Sequence, residues 1–215
     1  MVLKMTPIRM FCIMPIEMLR FKLAYRSAIS SYIRYSRDID DGDERSLIVK
    51  AFLSLGLSEI DNSFSFLLQG RYRPAGNAIR CYCEAIGMAL LVSSRKLDCW
   101  EQLKDNIKNS NGDIAISRLA DSAIRRKSGI DEDFLVSIIE VAKFHNQYSH
   151  SSLLNVQYLL AHGVHYINGA FDSGRIADYR HLLVEGIMHC QILSQVIGIC
   201  CKEGKDIEND STFST

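Results

Sequence analysis

Arg73, Asn77, Arg80 and Glu84 follow one another at intervals of four, three and four residues. On an α-helix that spacing lines them up in one narrow stripe. Guanidinium groups placed there suit phosphate or another anion, because their forked N–H donors match its oxygens. Arg80 and Glu84 can equally pair with each other at i,i+4 and tie helices together. A second cluster follows at His145, Asn146, Tyr148, Ser149 and His150. Histidine titrates near neutrality, which suits general acid–base work. The same cluster also reads as a capped junction between helices, with Ser149, Ser151 or Ser152 as N-cap. His162 and His165 are three residues apart, and His181 and His189 are eight apart. No Asp or Glu completes a metal set around these histidines, so neither metal nor cofactor is expected. The chain lacks a phosphate-binding P-loop, a dinucleotide glycine fingerprint and a G-x-S-x-G nucleophile elbow.

The elements that must carry these residues are helices. Only three prolines occur, at Pro7, Pro15 and Pro74, too few breakers for an all-β chain. Apolar periodicity predicts helices over about 15–35, 44–69, 74–94, 98–108, 114–126, from 129–133 towards 144, 151–162, and from 172–173 to just before Gly204. The helix at 74–94 is apolar on every face but the stripe, which makes it the central helix of the bundle. The acidic stretch 36–44 mimics a calcium loop, but Gly42 is misplaced and Val49 stands where a bidentate Glu is needed. It reads instead as an acidic helix start. The expectation is an all-α multi-helix bundle of about six to eight helices. One domain would cover 1–204, with 1–14 irregular and a disordered polar tail at 205–215.

Composition narrows the compartment. Lys+Arg and Asp+Glu balance at 25 each, so the chain has no overall basic excess for phosphate. Seven cysteines (Cys12, Cys81, Cys83, Cys99, Cys190, Cys200, Cys201) include no C-x2-C pair and read as buried free thiols in a reducing cytoplasm. The N-terminal apolar run is broken by Pro15 and Glu17, so no signal peptide is expected. No stretch of 18 uncharged apolar residues is found, so no membrane span is expected either.

The segment 70–84, with Arg80 and Glu84 in an Arg-x3-Glu spacing, resembles a helix of an uncharacterised bacterial branch of HEPN-like helical proteins. Tyr148-Ser-His-Ser-Ser152 is similar to the later Ser/His turn of that branch, and the likeness covers roughly 45–160. HEPN proteins are helical bundles, often dimeric. Many are metal-independent ribonucleases of toxin–antitoxin and phage-defence systems, with an Arg four to six residues ahead of a His. Here His145, Asn146 and His150 have that spacing, with His145 where the motif has Arg. The resemblance implies attack of an RNA 2′-hydroxyl on the adjacent phosphate. His150 would act as base or acid, Arg80 would stabilise the phosphate charge, and Asn146 would orient it. Arg73, Asn77 and Tyr148 would complete the RNA contacts. It also implies a homodimer or a cognate partner protein, with no role at a membrane. The alternative is a non-catalytic helical module for dimerisation or partner binding.

Overall fold

A computed structural model describes residues 14–38, 43–69, 71–109, 116–149 and 176–211. They form seven α-helices and one 3-10 turn, with no strand among the described residues. The helices are α1 (Pro15–Asp38), α2 (Glu44–Leu68), α3 (Tyr72–Ser93), α4 (Cys99–Asn109), α5 (Ser122–Ser128), α6 (Glu132–Ser149) and α7 (Ile176–Ser211). The 3-10 turn is Ile116–Ala120. The all-α bundle expected from periodicity is therefore observed. The helix expected at 151–162 and the residues His162 and His165 lie outside the described residues.

α3 is the centre. It packs most extensively on α2, then on α6 and α7, and it also meets α4 and the 3-10 turn. Tyr82, Ile86, Ala89, Leu90, Leu91 and Val92 are sealed from solvent. α2 runs antiparallel to α3, and the two pack tightly at Gly56. A Cβ there would sit 3.2 Å from Ile86 Cγ2. α1 and α7 lie side by side in the same direction. Glu17 pairs with Arg180 at 2.7 Å, and further along Phe21 covers Gly186.

Local chemistry explains where the elements begin and end. Asp43 caps α2, its carboxylate accepting from the N–H groups of Arg45 and Ser46 at 3.3 and 3.2 Å. The acidic stretch thus ends as a helix cap. α3 starts two residues before Pro74, because a proline in the first turn gives up an N–H that has no helical partner anyway. The helix expected at 114–126 is split. Asp121 accepts from Ala123 N at 2.8 Å and opens α5, leaving a 3-10 turn before it. α6 continues five residues past Phe144, so His145, Asn146, Tyr148 and Ser149 stand on a helix and not in a turn. α7 runs through Gly204 to Ser211, where good helix formers such as Lys202, Glu203, Lys205 and Glu208 outweigh one glycine.

By length and composition alone, Ile176–Glu203 of α7 is apolar enough to cross a membrane, although Asp178, Arg180 and Glu185 interrupt it and it holds no run of 18 uncharged apolar residues. Core helices pass the same test. In α7, Tyr179, Leu183, Cys190, Leu193, Val196, Ile197 and Cys200 are buried within the bundle. All six described cysteines are free.

The far end of α3 is held by Arg45. Its Nε donates to Val92 O and its Nη2 to Ser94 O, both at 2.6 Å. These carbonyls belong to the helix end, where no intrahelical N–H remains for them. Arg45→Met is expected to lower stability by about 2 kcal/mol, since charged donors leave partly buried carbonyls. Urea denaturation checks this, and a loss well under 1 kcal/mol would show that water replaces the guanidinium.

Candidate functional site

The α3 stripe is only partly open. Arg80 Nη1 lies 3.2 Å from Glu84 Oε1, with side chains 28% and 41% exposed. Asn77 is half-buried beside them. Gly87 and Leu91 continue the same face towards the C-terminus, and both are buried. The polar face therefore opens only over the N-terminal half of the helix. Arg80 Nε is buried and makes no hydrogen bond. Arg73 stands on the first turn of α3.

The second cluster lies deeper than expected. His145 has no exposed surface, and its Nε2 sits 2.7 Å from Glu185 Oε1 of α7. His189, one turn beyond Glu185 and equally buried, places its Nε2 3.8 Å from the same oxygen. One carboxylate thus lies between two buried imidazoles from different helices. Tyr82 of α3 packs edge-on against His189 at 5.1 Å and donates its hydroxyl proton to His189 O at 2.8 Å. Phe144 meets the His145 ring edge-on. Asn146 is exposed on the last turns of α6.

The electrostatics follow from burial. Burial alone would raise the Glu185 carboxyl, but the hydrogen bond to His145, the contact with His189 and the charges of both rings bring it down to about 2. Burial lowers His189 below its ordinary value, with His145 adding to the effect and Glu185 opposing it. A neutral imidazole beside a carboxylate is the resulting state near neutrality. Cys83, next to Glu84 on α3, is buried. Burial raises its thiol first, and the charges of Glu185 and Glu84 raise it further.

Of the residues singled out from sequence, Arg80, Asn77 and Glu84 share the α3 face. His145 turns into the core towards Glu185. Tyr148 lies on α6, and His150 falls outside the described residues, so its position relative to Arg80 is not part of this geometry. His181 and His189 do not act together, because His181 is exposed and His189 is buried. Glu185 was missed from sequence. Its signal is local: Glu-x3-His at 185–189 puts a carboxylate and an imidazole on one helix face. The expectation that no carboxylate joins these histidines is corrected. Compared with protein-family models, curated proteins and solved structures, the chain matches none.

Proposed function

We propose that this is a HEPN-like helical protein that binds RNA through the open half of the α3 stripe. The observation that supports the reading is Arg80. Glu84 meets the guanidinium through Nη1, and the arginine side chain remains 28% exposed. A half-exposed arginine with spare donors is suited to phosphate oxygens. Cleavage by the 2′-hydroxyl route, with His150 as base and Arg80 stabilising the phosphate, is the catalytic form of this proposal. It belongs in the cytoplasm, where thiols stay reduced.

Arg80→Ala is expected to weaken single-stranded RNA binding about tenfold in fluorescence anisotropy at fixed salt. Its thermal stability should change little, since a half-exposed i,i+4 pair contributes about 0.3–0.5 kcal/mol. A purely structural Arg80 would give the opposite pattern, with stability lost and RNA binding unchanged. The catalytic form requires that the purified chain cut RNA and that His150→Ala abolish cutting.

A second reading, a dimerisation or partner-binding module, is favoured by α1. Ile16, Leu19 and Leu23 project from one face and are 63%, 52% and 56% exposed. An apolar face of that kind suits burial against another chain.

A further inference from the structure

We infer that His145, Glu185 and His189 form a binding site for one divalent first-row transition-metal ion. The inference does not rest on the RNA reading, which is carried by Arg80; the two share only His145, which fills the arginine position of the HEPN-like spacing.

Three observations carry it. First, one donor atom from each of the three residues can be chosen so that all lie within 4.8 Å of one another. An ion held tetrahedrally at about 2.0–2.2 Å by imidazole nitrogen and carboxylate oxygen sets its donors about 3.3–3.6 Å apart. The observed separations from Glu185 Oε1, 2.7 Å to His145 and 3.8 Å to His189, bracket that range. Modest side-chain movement would equalise them.

Second, the cluster contains buried polar atoms with nothing to bond. Glu185 Oε2 and both ring nitrogens of His189 are buried without a hydrogen-bond partner. Native proteins rarely leave such atoms idle, and each one calls for an explanation. A metal ion supplies the missing partner for a carboxylate and an imidazole together.

Third, the backbone presents the ligands well. Glu185 and His189 are one turn apart on α7, and His145 faces them from α6. Metal sites inside helical bundles are built this way, from inward carboxylate and imidazole side chains on facing helices. Packing against Tyr82 and Phe144 fixes the two rings.

The ligand set selects the class of ion. Two imidazoles and a carboxylate favour zinc, ferrous iron or cobalt over calcium and magnesium, which take oxygen donors. Three protein ligands leave at least one coordination position for water or another small ligand.

The test uses the full chain, stripped with a chelator and dialysed. Titration with Zn2+ by calorimetry is expected to show one ion per chain, and Co2+ is expected to give visible d–d absorption bands. His189→Gln and Glu185→Gln should each weaken Zn2+ binding at least tenfold and remove the Co2+ bands. His181→Gln, at an exposed position on the same helix, should leave both unchanged. The inference is overturned if the wild-type chain takes up no Zn2+, or if both site variants, shown to be helical by circular dichroism, bind as the wild type does. RNA binding measured on the same samples keeps the two proposals separate, since Arg80→Ala should not alter Zn2+ uptake.

Discussion

Glu185→Ala is expected to destabilise the metal-free chain by about 3–5 kcal/mol, because it strips two buried imidazoles of the one carboxylate between them. In a chain of this size that lowers the melting temperature on the order of 10 °C. Differential scanning calorimetry and urea denaturation would measure it. A cost near that of an ordinary surface change would mean that water enters the cluster freely. Replacing all three residues with apolar ones of similar size should cost much less than Glu185→Ala, since no buried ring then loses its carboxylate. The same cluster sets a pH dependence. The Glu185 carboxyl falls from its ordinary 4.5 to about 2 in the fold. Its contribution is therefore complete above 4.5 and is lost as pH falls from 4.5 towards 2. His189 is held below its ordinary 6.5, so the folded state resists its protonation. Stability should begin to fall as pH drops below 6.5. Glu185→Gln should remove the lower part of this dependence, and His189→Gln the upper part.

The second large effect is expected at Tyr82. Its side chain is fully buried, packs on His189, and bonds a carbonyl of α7. Tyr82→Ala leaves a large cavity at the junction of α2, α3 and α7, with a cost of about 3–5 kcal/mol. Tyr82→Phe keeps the ring and removes only the hydroxyl, with a cost of about 1 kcal/mol. Chemical denaturation of the pair separates packing from hydrogen bonding. Equal losses for both variants would mean that the hydroxyl, and not the ring, joins α3 to α7.

Much of this arrangement was legible in sequence because it is local. Nearly uniform apolarity between Ala75 and Val92, broken by one polar stripe, can only suit a central helix, and α3 is central. Boundaries were less legible where two local rules compete. Pro74 is as acceptable in the first turn as at its first position, and Asp121 caps a helix more readily than it continues one. The candidate site was half legible. A run of His, Asn, Tyr and Ser looks like a turn, but it continues α6, with His145 facing the core and Asn146 exposed. The contact between His145 and Glu185 spans 40 residues, and no periodicity reports it. Glu-x3-His on α7 was available as a pattern. Spacing among the histidines alone does not report it, because the partner of His189 on its own helix is an acid.

Arg45 has a consequence for how the molecule comes apart. α2 and α3 are joined by a short connection at one end, and the Arg45 guanidinium closes the other end on Val92 and Ser94. The pair is a hairpin clasped at both ends, so neither helix frays from its far tip without breaking the clasp. Contacts near the connection are close in sequence, while the clasp itself closes 47 and 49 residues, so the hairpin can zip from the connection towards Arg45 at a small entropy cost per step. The clasped hairpin is expected to behave as one cooperative unit, with amide protons along both helices exchanging together in native-state hydrogen exchange.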